Sequence, residues 1–281
     1  IYLPDQDKGF YKATRFDWSG IIGSLIYQGI DYFGQWYSKH NPRVNDAISG
    51  PVEEFNEIGY ECIEDEDEFL KIGIGGLRKS NNEQYDRFKL YEIINPGEWI
   101  VERTGRKVVF RHLIKDVSGY SYCYTKCVEL TVGIPELLIT HTLKNTGRKV
   151  IKTKVYNHNF LTIGHLFTDS NVVVTFPENI VKSISDNKNR ILNIDKNRVG
   201  FTRAIFPNES VMVMNINDNP VAGSIIVENE KLKAGVEITS DARYSTIHFW
   251  ASERTCCPEP YINIELFPRQ EIDWSFKYVF Y

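Results

Sequence analysis

Residues 137–160 read LLITHTLKNTGRKVIKTKVYNHNF and contain a strand–turn–strand pattern. The stretches 137–143 and 150–156 are short and rich in β-forming residues, and the turn signal Lys144-Asn145-Thr146-Gly147 separates them. This pattern is typical of neighbouring β-strands joined by a tight connection. We therefore predict that this part of the chain belongs to a β-sheet.

Similar strand-like stretches recur along the rest of the chain. No region between them shows a sustained 3.6-residue apolar period, so crossover helices and a parallel sheet are not expected. There is also no internal repeat and no Pro- or Ser-rich linker. The sequence predicts an all-β, antiparallel sandwich forming a single domain over residues 1–281. The further predicted strands cover residues 20–27, 99–102, 108–113, 122–130, 172–176, 211–216, 221–227, 236–239, 246–250 and 262–267.

The composition restricts the classes of partner. The chain is 42% hydrophobic and 13% aromatic, with a formal net charge of −4. Its Lys and Arg residues are dispersed, which argues against binding to nucleic acid or to an anionic bilayer. No apolar run is long enough for a membrane span. The first residue, Ile1, indicates a tag, a truncation or a removed signal peptide, and a periplasmic or secreted location is one of the alternatives.

The five cysteines form no CxxC pair, and buried free thiols are the favoured interpretation. A zinc site is the minor alternative, because the first pair lies in a strand and no second pair with metal-site spacing follows it. The cysteines are Cys62, Cys123, Cys127, Cys256 and Cys257.

Two further segments have unusual composition. Residues 61–68 hold six acids in eight residues, which predicts an exposed loop, with a calcium site as the minor alternative. Residues 71–76 contain three glycines but lack GxGxxG spacing. We interpret these glycines as close backbone approach at the rim of a cleft.

Two stretches carry groups suited to proton transfer. His158 lies between Asn157 and Asn159, whose amides could orient its ring. Glu259 lies between Pro258 and Pro260, which restrict the backbone around it. A lone His or a Pro-Glu-Pro turn is more often structural, but together they could form an acid–base pair.

The order of these stretches resembles the aldose 1-epimerase (galactose mutarotase) family. The similarity rests on an Asn-Thr-Gly turn at residues 145–147, the Asn-His motif at 157–160, Glu259-Pro260, and a chain end running from Leu266-Phe267-Pro268 to Tyr278-Val279-Phe280. It covers residues 137–176 and 246–281. The segments Thr14 to Gly20 and Tyr85 to Lys89 resemble a bacterial mutarotase-like branch.

The resemblance implies a β-supersandwich and an isomerase that opens and closes the ring of an aldose. His158 would be the general acid and Glu259 the general base. An imidazolium, with an ordinary pKa near about 6.5, would protonate the ring oxygen while the carboxylate accepts the anomeric proton. The two side chains should then lie about one sugar ring apart across a cleft, without direct contact. This chemistry requires no cofactor and no metal.

One feature of the family is missing. Its active members have another histidine, upstream of His158, that holds the sugar near the ring oxygen, whereas this chain has no His between His40 and His112. Arg78 or Lys79 could replace it as a cationic donor, although Arg exchanges no proton near neutrality.

Other residues have the types that a sugar site needs, namely flat apolar surfaces and planar polar groups. Each also has a structural interpretation as a core aromatic or a surface charge. His165 is a further candidate for the cleft, whereas we interpret His112, His141 and His248 as structural or solvent-facing. The additional candidates for sugar binding are Asp17, Trp18, Trp36, Tyr85, Asp86, Arg87 and Trp250.

Three functions therefore compete. The first is an isomerase acting on the anomers of an aldose, or of a sugar acid or oligosaccharide. The second is a carbohydrate-binding protein without catalysis, and the third is a lyase or hydrolase on the same fold. The identity of the sugar and the oligomeric state are not set by the sequence.

Overall fold

The computed structural model describes residues 1–80, 83–180, 184–186 and 190–281, with the backbone alone for residues 184–186. Two short 3-10 helices occur at Tyr60–Cys62 and Ile163–His165. The strands of the first half are β1 (Ile26–Tyr27), β2 (Ile30–Asp31), β3 (Gly50–Phe55), β4 (Glu68–Lys71), β5 (Gly75–Arg78), β6 (Ile93–Asn95), β7 (Glu98–Arg103), β8 (Lys107–Val117), β9 (Tyr120–Leu130), β10 (Glu136–Asn145) and β11 (Ile151–Phe160). Those of the second half are β12 (Val172–Thr175), β13 (Ile184–Asp186), β14 (Leu192–Asp195), β15 (Arg198–Phe201), β16 (Ser210–Met214), β17 (Ile225–Asn229), β18 (Ala234–Ser240), β19 (Thr246–Ser252), β20 (Thr255–Leu266) and β21 (Glu271–Phe280).

Two large sheets dominate the structure. The first has ten strands in the order β14-β15-β12-β17-β18-β21-β10-β9-β8-β7, and the second has six in the order β13-β16-β19-β20-β11-β3. Strands β4, β5 and β6 form a small third sheet, and β1 pairs with β2. Every pairing between the described strands is antiparallel. The predicted all-β, antiparallel class is confirmed.

The side chains of the six-stranded sheet point alternately to its two faces along each strand. Val155 and Leu161 pack into the main core, which also holds Ile139 of the ten-stranded sheet. Phe160 points the other way, into a second cluster with Val52 and residues of the N-terminal segment. The pattern therefore separates a sheet–sheet core from an opposite face, and the candidate site lies on that opposite face.

A charged cluster is enclosed within the molecule. Lys126 Nζ pairs with the Glu53 carboxylate, and Asp17 Oδ2 lies 3.9 Å from the same Nζ. The ring of His141 lies 3.5 Å from Glu53. Tyr124 donates to Asp17 (3.2 Å). All these side chains are buried, so Asp17 belongs to an internal ion-pair network and not to a cleft.

Several predicted strands differ from the structure. Residues 20–27 are mostly irregular, with only Ile26–Tyr27 in a strand, and the stretch 221–227 becomes a strand only at Ile225. No strand was predicted at β3 or β21, and the Pro-Glu-Pro motif, interpreted as more typical of a turn, lies inside β20.

The two segments of unusual composition have different outcomes. Most of residues 61–68 are exposed, as predicted for the acidic loop. The glycines of residues 71–76 are buried, and Gly73 has a φ of 78° with the Asp17 carboxylate directly against it. They allow close approach inside the protein, and none of them lies at the rim of the pocket described below. No helix among the described residues is long and apolar enough to span a membrane.

Candidate active site

Two strands of the six-stranded sheet separate locally where the site forms. Strand β11 pairs with β20 up to Tyr156↔Tyr261, and an isolated bridge joins Leu161 to Cys256 in the same register. Between these points the regular pairing is interrupted, at the position of Pro258 and Pro260, which have no N–H to donate. The unchanged register on both sides of the gap places His158 opposite Glu259.

His158 and Glu259 are in contact inside this gap. His158 Nε2 lies 3.3 Å from Glu259 Oε1, and both side chains are about 5% exposed. The predicted separation of one sugar ring is therefore wrong, because the two residues occupy facing positions on adjacent strands. Their Cα atoms are held by the sheet at a distance that lets the side chains meet.

Burial favours the uncharged form of both groups. It lowers the pKa of His158 well below its ordinary value, and Arg15 and Arg87 lower it further. Burial also raises the pKa of Glu259 to about 8, although Arg15 and Arg87 oppose this rise. At neutral pH the pair is thus a neutral imidazole beside a protonated carboxyl, not the imidazolium and carboxylate expected from ordinary pKa values.

The pair opens into a pocket of 470 Å³ on the outer face of the six-stranded sheet. We call it the sheet-face pocket. Strands β11, β16, β19 and β20 supply its floor, and segments outside the sheet supply its walls. Its lining residues are Arg15, Trp36, Asp46, Arg87, Phe88, His158, Phe160, Met212, Met214, His248, Trp250, Glu259 and Tyr261.

A second cavity of 500 Å³ lies near Ile1 and the ends of β9 and β10. Its lining is mainly aliphatic, with Arg106, Lys107 and Glu136 as its charged members. It contains no histidine and no buried acid–base pair. The sheet-face pocket is therefore the better candidate for chemistry.

Aromatic rings form one side of the sheet-face pocket. Phe160 stacks on His158 with ring centroids 3.9 Å apart and on Trp36 at 5.2 Å. Trp250 meets Trp36 edge to face at 5.4 Å. Two of the three predicted tryptophans, Trp36 and Trp250, therefore line the pocket, where their faces can cover the C–H surface of a sugar.

Glu54 organises the charged side of the pocket from beneath. Its carboxylate accepts from Arg15 Nε (2.8 Å) and from the Tyr156 hydroxyl (2.5 Å), and Arg87 Nε lies 3.4 Å away. Lys71 Nζ is 3.8 Å away. Burial alone would raise the pKa of Glu54, but the three cations outweigh it and hold that pKa below its ordinary value. Glu54 therefore stays ionised and fixes both arginines.

Three predicted cationic or acidic residues lie elsewhere. Arg78 pairs with Glu66 (3.3 Å) and Glu92 (2.9 Å) at the surface. Lys79 is buried and donates to the carbonyls of Tyr60 and Ile63. Neither lines the sheet-face pocket, so neither is placed to act there as the predicted cationic donor. Asp17 belongs to the buried cluster with Lys126.

Four other predicted residues are also outside the pocket lining. Trp18 is buried and donates to the Ala13 carbonyl. Tyr85 accepts from Lys71, and Asp86 caps a turn by accepting the Phe88 amide. His165 contacts Asp31 at 3.1 Å and has a φ of 55°.

The asparagines beside His158 do not orient its ring. Because side chains alternate along β11, Asn157 and Asn159 point to the inner face, where Asn157 donates to Glu53 and Asn159 accepts from Tyr278. The Nδ1 atom of His158 is buried without a hydrogen-bond partner in the described part of the chain. Stacking on Phe160, not an amide, holds this ring.

Sequence analysis missed several pocket residues. Arg15 lies in the Thr14 to Gly20 motif that carries part of the family resemblance, but within that motif only Asp17 and Trp18 were predicted, from their residue types, to bind sugar. His248, interpreted as structural or solvent-facing, lines the pocket. His112 and His141 are buried in structural contacts with Tyr122 and Tyr124, in agreement with the prediction.

The cysteines are all free. Cys127, Cys256 and Cys257 are buried as predicted, whereas Cys123 is half-buried and Cys62 is exposed. Within the described ranges, no group of three or more His, Cys, Asp or Glu is arranged to hold a metal ion.

Comparison with solved structures identifies the architecture. A galactose mutarotase-like protein from Lactobacillus casei aligns with 100% of this chain and 99% of its own, with a TM-score of 0.57 and 12% identity. The fold is that of the galactose mutarotase-like proteins. A galactose mutarotase related enzyme from Lactobacillus acidophilus aligns with 100% of this chain and 97% of its own (TM-score 0.55, 12% identity). A galactose mutarotase-like protein from Clostridium acetobutylicum covers 96% of this chain and 93% of its own (TM-score 0.55, 14% identity). No family model and no curated protein matches the sequence.

Proposed function

We propose that the protein interconverts the α and β anomers of a sugar by acid–base opening and closing of its ring. The observation that carries this proposal is the His158–Glu259 contact at the floor of a pocket lined by Trp36 and Trp250. The galactose mutarotase-like fold supports the same class of chemistry by analogy.

The pair can supply the two proton transfers that the reaction needs. One group must take the proton of the anomeric hydroxyl while the other gives a proton to the ring oxygen. A neutral imidazole beside a protonated carboxyl contains one base and one acid. Moving the shared proton across the 3.3 Å contact converts it into the imidazolium and carboxylate inferred from the family. Both forms have the same number of protons, and the reaction has no net proton change.

The surrounding residues fit a sugar substrate. The stacked rings of Trp36 and Phe160 offer an apolar surface, while Arg87, which is about a third exposed, presents donors to hydroxyl groups. Tyr156 and Tyr261 have pKa values raised by burial, so neither is suited to the base role of a lyase.

The direct test is the exchange between anomers of D-glucose and D-galactose, followed by NMR on freshly dissolved α-anomers with and without the protein. We expect catalysed exchange, and a loss of roughly 10²–10⁴-fold in rate for both Glu259→Gln and His158→Asn. The double variant should lose much less than the product of the single effects, because the two residues act as one unit.

The alternative functions give different results in this experiment. Perturbed sugar signals without faster exchange would indicate a binding protein. Unchanged rates in both single variants would contradict the catalytic assignment. A matched control is Arg78→Ala, which changes a surface residue outside the pocket and should leave the exchange rate at the wild-type value.

A further inference from the structure

His248 is a second histidine beside Glu259. Strand β19 pairs with β20 in a register that places His248 directly opposite Glu259, on the side of β20 away from His158. Glu259 is therefore flanked by an imidazole on each neighbouring strand. His248 is half-buried, and its ring contributes to the lining of the sheet-face pocket.

The hydrogen bond on Nδ1 fixes the tautomer of His248. The backbone N–H of Asn215 points at this atom with an N···N distance of 3.0 Å. A backbone amide can only donate, so Nδ1 must present its lone pair, and the neutral ring carries its proton on Nε2. The carbonyl of the neighbouring Ile247 already accepts a hydrogen bond from the backbone N–H of Ile216 (3.0 Å).

The proton on Nε2 is available to a ligand. Burial lowers the pKa of His248, with a smaller effect from Arg87 and Lys154, although the Ile247 carbonyl opposes it. Both this shift and the Asn215 hydrogen bond on Nδ1 favour the neutral ring. No side chain of the described residues hydrogen-bonds to Nε2, and the ring lies 4.7 Å from that of Tyr261 on the pocket floor.

We propose that the Nε2–H of His248 is a fixed hydrogen-bond donor to an oxygen of the bound sugar beside Glu259. The inference rests on the proposed function and specifies its substrate. Because the Nε2–H group can only donate, it can bind a ring oxygen or a hydroxyl oxygen of the sugar at this position. It disfavours an ammonium group, which has no lone pair to accept the hydrogen bond. The site would therefore take a sugar with oxygen there, and not a protonated amino sugar.

Two substitutions separate this role from a purely structural one. In Asn, the side-chain oxygen can take the place of Nδ1 and keep the bond from the Asn215 amide, but the donor at Nε2 is lost. In Gln, the amide N–H reaches the position of Nε2, but the acceptor for Asn215 is lost. The two variants thus remove opposite halves of the imidazole's hydrogen bonding.

We expect His248→Asn to weaken the binding of D-galactose and D-glucose by about 3–10-fold, the size of one neutral hydrogen bond, with a wild-type melting temperature. We expect His248→Gln to retain affinity within about 2-fold and to melt at a lower temperature. The reverse order of affinities, or wild-type affinity in His248→Asn, would overturn the proposal. Affinity is measured by NMR titration at fixed pH.

Nitrogen NMR of ¹⁵N-histidine-labelled protein gives a readout that does not depend on catalysis. The His248 signals should be those of the Nε2–H tautomer at pH 8, and the Nε2–H resonance should shift when D-galactose or D-glucose is added. An Nδ1–H tautomer, or no shift with either sugar, would overturn the inference. If sugar shifts this resonance but Glu259→Gln exchanges anomers at the wild-type rate, the donor stands and the isomerase proposal fails.

Discussion

The proton shared by His158 and Glu259 sets the pH range of any reaction in the pocket. With the pKa of Glu259 raised to about 8 and that of His158 well below its ordinary value, the pair holds one proton between these limits. Above about pH 8 it loses that proton and with it the acid. We expect the rate of anomer exchange to stay level from pH 6 to pH 7.5 and to fall about tenfold per pH unit well above pH 8.

Ordinary pKa values would give a different profile. An imidazolium acid with a pKa near about 6.5 would make the rate fall from that pH upward. The comparison is made by NMR exchange measurements across the range in one buffer series. A decline centred near pH 6.5 would contradict the burial-driven pKa shifts.

The same burial means that ionisation of Glu259 lowers the free energy of unfolding. Its pKa is 4.5 in the ordinary state and about 8 when folded, so the folded protein binds more protons than the unfolded chain between these values. Its contribution to stability is therefore lost as the pH rises through this window. Each pKa unit corresponds to about 1.4 kcal/mol.

The Glu259→Gln variant should show this cost directly. Because Gln does not ionise, we expect its free energy of unfolding to exceed that of the wild type by roughly 1–4 kcal/mol at pH 9, and by much less at pH 4. Urea denaturation at both pH values measures the difference. A variant advantage that shrinks as the pH rises would contradict the assigned direction of the pKa shift.

At the level of strands, the gap between β11 and β20 converts a sheet into a site. Pro258 and Pro260 stand in a central strand, where proline is normally excluded because it lacks a ladder donor. The ladder to β19 continues through both of them, whereas the regular pairing with β11 stops at Tyr261. Asn159 Nδ2 donates to the Pro258 carbonyl (2.8 Å) across the gap. The interruption leaves the backbone near Glu259 shielded by prolines and by this amide.

Strand β3 supports the site from its edge, and Glu54 is the residue through which it acts. If Glu54 were replaced with Gln, Asp46, whose side chain is 45% exposed, would be the one carboxylate among the described residues left paired with the buried Arg15. We expect this change to lower the free energy of unfolding by about 3–5 kcal/mol, the cost of breaking a buried ion pair from one side. Urea denaturation provides the measurement.

The control for this prediction is Arg78→Ala. Arg78 also pairs with two carboxylates, Glu66 and Glu92, but at the surface, where such pairs contribute little. Its stability should remain at the wild-type value. Equal effects of the two substitutions would show that Glu54 does not have the supporting role assigned to it.

Strands were predicted best from the sequence where apolar residues alternate because one face of the strand packs into the core. The stretch 137–143 lies in β10 and 150–156 almost wholly in β11, since one face of each strand packs into the sheet–sheet core. Strand β3 reads GPVEEF, and its two glutamates hide its strand character because one enters the buried Lys126 cluster and the other supports the pocket. The sequence contains no sign of either partner.

The candidate site was predictable to the extent that it lies in motifs. His158, Glu259, Trp36, Trp250 and Arg87 were identified and line one pocket. Arg78 and Lys79 were predicted as substitutes for the histidine that the resemblance led us to expect, but Arg78 ends β5 of the small third sheet and neither residue lines the pocket. The pairing of His248 with Glu259 depends on the register between β19 and β20, which composition and spacing do not reveal.

Across the whole molecule, this chain and the solved structures share one architecture, although their sequence identity is too low to determine the residues of the site. The alignments extend over 96–100% of the chain at 12–14% identity, because alternating apolar residues can be exchanged if volume and pattern are kept. Shared architecture at this identity establishes the fold alone. The chemistry depends on the residues of the pocket, which the variants above test.

The arrangement of the two cores predicts how the protein unfolds. The main core and the second cluster share the six-stranded sheet, since neighbouring residues such as Phe160 and Leu161, or Cys257 and Cys256, face opposite clusters. Neither cluster can lose its packing without exposing that sheet, so we expect one cooperative transition for the whole chain. Far-UV CD, which follows the strands, should give the same midpoint in urea as tryptophan fluorescence.

Trp18 and Trp36 report on the second cluster and Trp274 on the main core. Replacing Trp274 with Phe restricts the fluorescence largely to residues outside the main core, and its midpoint should still coincide with that of far-UV CD in the same variant. A fluorescence transition at lower urea than the CD transition would show that the pocket side unfolds first, and would contradict a single-domain chain.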